Sequence, residues 1–245
     1  MTKPPVLILG ARSDIGRATA HAFAAEGHPV QLAARNAAEL GPDRTDLEVR
    51  YQVEVTLHEF DALDTGGHAA FLDALPALPE IAVCAVGLMG DQAENETDAD
   101  KAARVMRSNF EGPALILGAL ANRFAARGSG TLVGISSVAG DRGRATNYVY
   151  GASKAGFTAF LSGLRNRLAK RGVHVVTVLP GFVNTRMTEG MDLPGPLTAE
   201  PQELGAAIVK AVETRRNVIY VRPVWRLVMA IIRNIPEPIF KKLSL

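Results

Sequence analysis

Short, uninterrupted apolar runs recur along this chain, and helical periodicity fills the intervals between them. Val6–Leu9 is the first run. It ends at Gly10, and apolar positions then recur at helical spacing from Ile15 through Ala18, Ala22 and Phe23. That order predicts a buried strand, a tight turn and a helix. Val30–Ala34 is a second run, ending at Arg35-Asn36, and a third strand is expected from Val53 to Phe60, just before Asp61. Ile81–Val86 forms a fourth, closed by Gly87. The spacing then predicts one long helix over 98–127, disturbed near Gly112-Pro113. Thr131–Ile135 is a fifth run and leads into Ser136-Ser137. A helix carrying Tyr150 extends to about Arg171 and stops at Gly172. Val173–Leu179 is the sixth strand, ended by Pro180-Gly181. After a loop rich in Pro and Gly, a helix covers 202–213 and a seventh strand covers Val218–Val221.

Apolar strands alternating with helices indicate a parallel sheet covered on both faces. The expected fold class is therefore α/β, a single doubly wound domain over 1–221 with about seven strands and helices on both faces. No linker, repeat or low-complexity block divides it. Residues 222–245 form a basic amphipathic tail. Pro223 suits a helix start and Pro236 an end. At 100° per residue, Arg222, Arg226 and Arg233 fall on one stripe, while Trp225, Leu227, Val228, Met229, Ile231, Ile232 and Ile235 cover most of the rest. A second segment, Ile239–Leu245, repeats the mix. Such a helix suits a membrane interface. It equally suits packing on its own subunit or across an oligomer interface.

Composition narrows the picture. Of 245 residues, 47% are apolar and 21% charged, enough apolar material for a sizeable core. A net charge of +2 argues against a nucleic-acid partner, which needs clustered positive charge. The lone cysteine, Cys84, permits no internal disulfide and reads as a small buried hydrophobe, which fits a reducing compartment. The apolar run ending at Gly10 is too short for a signal h-region, so none is expected there, and no apolar run reaches the ~18 residues that suggest a span. A cytoplasmic protein is expected, peripheral on the inner face of the membrane if the tail is interfacial.

The candidate chemistry begins with Tyr150 and Lys154. On a helix, side chains four apart share a face. A nearby ammonium favours the phenolate and should lower the Tyr150 pKa, so the pair is a plausible acid/base device. A chance Tyr and Lys at a helix start is the competing explanation. Gly10-Ala11-Arg12-Ser13-Asp14-Ile15-Gly16 lies where a strand turns into a helix, and helix N-termini receive phosphates. Its spacing is not the general dinucleotide fingerprint, and a capped turn with Ser13 or Asp14 as the cap is the alternative. At the end of the second strand, NAD-selective sites commonly place an acid. Here Ala34 is followed by Arg35, whose guanidinium can grip a 2′-phosphate, with Arg12 adding charge. NADP(H) is therefore favoured over NAD(H). Asp61 could accept from an adenine amino group or cap a turn. No metal site is assigned.

Taken jointly, the Gly10–Gly16 turn, Asp61, Asn109, Ser137, Tyr150, Lys154 and the Pro180-Gly181-Phe182-Val183-Asn184-Thr185 loop resemble the short-chain dehydrogenase/reductase family over residues 5–221. The resemblance implies a Rossmann-type fold and hydride transfer between a nicotinamide and a carbonyl or secondary alcohol. It implies Tyr150 as acid/base, Ser137 as holder of the carbonyl oxygen, and Lys154 as modulator of Tyr150 and ligand of the nicotinamide ribose. It further implies that Asn109 holds a water relaying protons to Lys154, and that Val183 and Thr185 meet the carboxamide. Gly87, Pro180 and Gly181 complete the cofactor set, and the family is often dimeric or tetrameric.

Two departures stand out. Asp14 replaces a family glycine and is expected to turn away and cap the helix. Cys84-Ala85-Val86-Gly87 replaces Asn-Asn-Ala-Gly. With the basic, apolar C-terminus, the acidic turn is similar to the branch that includes the decaprenylphosphoryl-2-keto-ribose reductases, which implies a lipid-linked keto-sugar as substrate. The alternatives are a steroid, lipid or small ketone, or a non-catalytic nucleotide-sensing scaffold on the same fold. The loop 188–201 is expected to cover the pocket, with 91–96 and 141–144 at its rim. Arg142 and Arg144 either meet a phosphate there or are solvated.

Overall fold

The structure is a computed structural model that describes residues 3–243. Met1, Thr2, Ser244 and Leu245, which belong to the expected N-terminus and tail, lie outside the described residues. Seven parallel strands form the sheet: β1 (Val6–Leu9), β2 (Val30–Ala34), β3 (Val55–Glu59), β4 (Ile81–Cys84), β5 (Gly130–Ile135), β6 (Val173–Pro180) and the final strand Val218–Val221. A two-stranded ribbon precedes that last strand in the chain, β7 (Phe182–Val183) with β8 (Thr198–Ala199), so the last strand is β9. The order across the sheet is β3-β2-β1-β4-β5-β6-β9. The winding direction reverses between β1 and β4, and a crevice opens there at the carboxyl ends of the strands.

Alternation within β1 shows why both faces are covered. Val6 and Ile8 enter one core with Phe23 of α1 (Asp14–Ala25), Leu47 of α2 (Gly41–Tyr51), and Leu204 and Ile208 of α8 (Pro201–Glu213). Leu7 and Leu9 enter the other, with Leu72 of α3 (His68–Asp73), Leu117 and Phe124 of α6 (Gly112–Arg127), and Phe157 and Leu161 of α7 (Tyr148–Leu168). Period-2 alternation forces the split, because successive strand side chains point to opposite faces. Cys84 lies in the second core, buried, and burial pushes its thiol up to about 11.

The helices α2 and α3 have no counterpart in the apolar pattern of the sequence. Among the residues of α2 only Leu47 is buried, too sparse a stripe to register as periodicity. The helix expected over 98–127 is present, with one irregular turn inside it and a separate short helix before it. Asp91 caps α4 (Gln92–Thr97), and Asp98 caps α5 (Ala99–Met106), accepting from the Asp100 and Lys101 amides at 3.0 and 3.1 Å. A π-helical turn, Arg107–Glu111, then joins α5 to α6, whose early Pro113 needs no hydrogen-bonded N–H at that position. The fourth strand stops at Cys84, leaving Ala85–Gly87 as loop.

The tail folds back on the domain. Its helix α9 (Val224–Asn234) buries Trp225 and Met229 against Val138 and Leu179. Trp225 donates from Nε1 to the Leu197 carbonyl at 2.9 Å. A Cβ on Gly181 would overlap the indole, so glycine is required there. Arg222 precedes the helix with a left-handed φ of 58° and pairs with Glu203, so it leaves the arginine stripe that a continuous helix predicts. Arg142 closes the far end. Its guanidinium donates to the Ile232 and Ile235 carbonyls at 2.7 and 2.6 Å, pairs with Glu237 of α10 (Glu237–Phe240) at 2.8 Å, and stacks on Phe240. Arg142 is thus a helix-terminating cap, not a solvated or phosphate-facing charge.

Candidate active site

The reversal point of the sheet opens into a cavity of about 440 Å³ lined by Ser137, Tyr150 and Lys154. Ser137 follows β5 in extended conformation and accepts from the Ala139 amide at 3.1 Å. Tyr150 lies in the first turn of α7, and Lys154 is one turn on, buried. The Lys154 ammonium donates to the Ile135 carbonyl at 3.0 Å and lies 5.7 Å from the Tyr150 ring centre. Burial lowers the Lys154 pKa to about 8. Burial raises the Tyr150 phenol to about 12, against the pull of a hydrogen bond with Ser137. The expected lowering of Tyr150 by Lys154 is therefore not present in this geometry. Removing the phenolate from water outweighs an ammonium held against a backbone carbonyl.

Asn109 sits in the π-helical turn, fully buried. Its Nδ2 donates to the Val105 and Leu88 carbonyls, and its Oδ1 accepts from the Leu88 amide at 3.2 Å. The amide thereby holds the loop after β4. A Cβ on Gly87 would stand 3.2 Å from Asn109 Oδ1 and 3.6 Å from Lys154 Nζ, which places the three residues together.

A second cavity, of about 380 Å³, shares Ala85, Val86 and Gly87 with the first. Gly10, Arg12, Ser13, Arg35 and Asp61 line it. Gly10 has a φ of 84°, and a Cβ there would come within 2.9 Å of the Ala85 and Val86 backbone, so only glycine lets the turn meet that loop. Ser13 is the helix cap, accepting from the Gly16 amide at 3.0 Å. Asp14 turns away but caps nothing. It accepts from the Arg186 amide at 2.8 Å and from its guanidinium at 3.0 Å, and Arg186 also donates to the Arg12 carbonyl at 2.7 Å. The correction has a simple cause: Ser13 already occupies the cap, and an arginine in the loop after β7 offers Asp14 charged donors.

Other expected cofactor residues divide between the two cavities. Ile15, Pro180, Gly181, Val183 and Thr185 line the first. Asp61 accepts from the Leu63 amide at 2.9 Å, the turn-capping alternative, while still lining the second. Arg12 is paired with Glu39 and donates to the Arg35 carbonyl. The Arg35 side chain is exposed and has no ion pair among the described residues. Arg104 and Arg186 join this wall. Neither carries a sequence signal, because Arg104 is an exposed helix residue and both lie far from Arg35 in the chain. Trp225 signals only a tail helix in the sequence, yet it lines the first cavity beside Met187 and Met191 of the covering loop.

The donor set fits a dinucleotide. A helix N-terminus with a close-approach glycine suits a pyrophosphate, and its first-turn N–H groups have no intrahelical partners. The polar triad beside the crevice can move a proton at one end of such a ligand. Residues 5–193 match the short chain dehydrogenase family model. An uncharacterized oxidoreductase of Mycobacterium tuberculosis is 38% identical over 242 residues, covering 98% of this chain and 96% of the relative. A short-chain dehydrogenase from Sphingobium yanoikuyae, solved in complex with NADPH, superposes with a TM-score of 0.81 at 27% identity, covering 96% of this chain and 97% of that one. The bulky-bulky ketone specific alcohol dehydrogenase from Comamonas testosteroni superposes at 0.80 with 25% identity, covering 97% and 96%.

The buried ammonium makes stability depend on pH. Lys154 binds its proton more weakly folded, near pH 8, than unfolded, near 10.5, so the unfolded state holds the extra proton between those values. The Lys154 contribution to the stability of the cofactor-free protein should therefore rise from about pH 8 toward pH 10, by up to about 3 kcal/mol, while the buried Cys84 thiol, with its pKa raised from 9.0 to about 11, opposes it above pH 9. Urea unfolding across that range should show wild type gaining stability relative to Lys154→Met.

Proposed function

The chain belongs to the short-chain dehydrogenase family, and on that premise we propose that it is an NADP(H)-dependent carbonyl reductase whose proton donor is Tyr150. It is an NAD(P)-dependent oxidoreductase of the family, acting between C=O and CH–OH. The observation that carries the finer reading is the gathering of Ser137, Tyr150 and Lys154 in one cavity that borders the glycine-turn cavity at Ala85, Val86 and Gly87.

A bound nicotinamide supplies the hydride. The residues of the chain supply the rest. Ser137 donates a hydrogen bond to the carbonyl oxygen and Tyr150 delivers its proton there as the carbon is reduced, which gives a secondary alcohol. Proton donation of this kind is worth about 10²–10⁴-fold. Lys154, close to Gly87 and Asn109, holds the nicotinamide ribose and, with its weakened hold on a proton, passes one toward the spent phenolate. The Asn109 water relay to Lys154 belongs to the same reading. Val183 and Thr185 hold the carboxamide at the far wall.

The NADP(H) preference is supported by the wall of the second cavity, where Arg35 and Arg104 are exposed cations and the end of β2 offers no acid. The neighbour solved with NADPH is consistent with that preference. The substrate reading favours a bulky ketone with apolar parts, supported by Met89, Phe182, Met187, Met191 and Trp225 in the catalytic cavity. The keto-sugar version rests on the acidic turn and the tail alone.

The tail supports one further reading, contact with an anionic membrane surface. Leu227 and Ile231 are 64% and 60% exposed on the outer face of α9, and Arg226, Arg233, Lys241 and Lys242 are exposed around them. No helix among the described residues is long and apolar enough to cross a membrane.

Tyr150→Phe should abolish NADPH-dependent ketone reduction, by about 10²-fold or more in kcat, with NADPH binding retained. A nucleotide sensor without catalysis would show no turnover in wild type either. Wild type should show a higher kcat/KM with NADPH than with NADH, and Arg35→Ala should shrink that ratio; an NADH preference refutes the cofactor assignment. Leu227→Asp with Ile231→Asp should reduce co-sedimentation with phosphatidylserine vesicles, and unchanged sedimentation removes the membrane reading.

A further inference from the structure

Resting on the reductase reading above, we infer that Arg144 is an anion anchor in the catalytic cavity and that the carbonyl substrate carries a carboxylate or phosphate. Arg144 lines the same cavity as Ser137 and Tyr150. Its Nε is buried and has no hydrogen-bond partner among the described residues. A guanidinium N–H drawn out of water without a partner is costly, and an incoming anion offsets that cost with charge-assisted, bidentate hydrogen bonds.

The neighbouring arginine sharpens the contrast. Arg142, two residues earlier, engages the Ile232 and Ile235 carbonyls, Glu237 and the Phe240 ring. One arginine of this loop is thus saturated by the protein, and the other keeps an open donor. The saturated one ties the loop to the tail, which holds Arg144 in place before any ligand arrives and limits the entropy lost on binding. Burial is the only influence that shifts the Arg144 pKa, which it lowers; no carboxylate offsets it.

The cavity has one acid, Asp91, and it is committed elsewhere. Its Oδ1 accepts from the Glu94 amide at 2.9 Å as the cap of α4. The rest of the lining near the catalytic triad is largely apolar, including Val138, Phe182, Met191 and Trp225. A second orphan lies in the same loop: Asn147 Oδ1 is buried without a partner among the described residues, and Asn147 also lines this cavity. The phosphates of a bound dinucleotide do not answer this need, because the glycine turn and Arg35 form the separate cavity to which Arg144 does not belong. The ligand that satisfies the site has an apolar body, a carbonyl for Tyr150, one negative group for Arg144 and a hydroxyl or N–H donor for Asn147 Oδ1.

Trp225 is the only tryptophan and lines the cavity, so its fluorescence reports binding without turnover. Protein saturated with NADP⁺ is titrated with two matched pairs: 4-oxopentanoate against its methyl ester, and dihydroxyacetone phosphate against dihydroxyacetone. The anionic member of at least one pair should bind about ten-fold tighter, a size ordinary for one charge-assisted contact. Which pair shows it separates carboxylate from phosphate. Arg144→Met should erase the preference and Arg144→Lys should keep part of it. Equal affinity within both pairs, or a preference that survives in Arg144→Met, overturns the inference. Reduction of the anionic members, followed by NADPH oxidation and compared with Tyr150→Phe, tests the reductase reading separately: no turnover with either would count against that reading while the titration still decides the role of Arg144.

Discussion

The contact between the Lys154 ammonium and the Ile135 carbonyl is the point to which the rest of the site is referred. It fixes α7 against the end of β5, the strand next to the central strand β4. Ser136 reinforces the joint by donating from Oγ to the Lys154 carbonyl at 2.9 Å. Tyr150 is one turn away on the same helix and Ser137 is two residues beyond Ile135 on the same strand end. A single backbone-to-ammonium contact therefore sets the separation of two residues from different elements. It has a consequence for charge as well. Lys154 is buried with a carbonyl as its partner instead of a carboxylate, so its proton is loosened to the range of neutral-to-alkaline pH, where it can be exchanged.

Around that joint, each loop at the carboxyl edge is held by a different device. Gly10 lets the first turn approach the loop after β4. Asn109, carried inward by the π-helical turn, fastens the other side of the same loop through Leu88. Asp14 and Arg186 tie the glycine turn to the loop after β7, so the acidic residue that departs from the family pattern acts as a clasp between the two cavities. Trp225 closes the far wall from the tail, and Gly181 is the position that admits it. Exposed ion pairs add little individually, and the Asp14–Arg186 and Arg222–Glu203 pairs are each anchored by two backbone groups as well.

Much of the fold is legible in the sequence because the buried strands are continuous apolar runs. All seven are readable in order, with small errors at their ends, since the end of an apolar run and the last ladder hydrogen bond differ by a residue or two. The run at Ile81–Val86 extends past its strand for a physical reason: Ala85 and Val86 line the cavities and are not paired in the sheet. The helix α2 leaves no trace in the apolar pattern because one buried leucine makes no stripe. The helix expected over 98–127 starts at the Asp98 cap and runs to Arg127, and its one irregularity, the π-helical turn Arg107–Glu111, lies beside the disturbance expected at Gly112-Pro113. In the site, Ser137, Tyr150, Lys154 and Asn109 are identifiable from residue type, spacing and family resemblance, and the structure gathers them.

The alternation of strands and helices, the doubly wound class and the residue types of the candidate site are all written locally in the chain, because periodicity, glycine turns and an i, i+4 pair need no distant partner. What those residues experience is settled by tertiary packing. Tyr150 is raised and Lys154 lowered because burial depends on everything packed around them. Arg142 is a cap because its partners lie some ninety residues away in the tail, whereas Arg144, its buried Nε unpaired, lines a cavity that distant segments enclose. Asp14 joins Arg186 across 172 positions of sequence. Charge environment and partnership are sums over distant neighbours, and no local pattern encodes them.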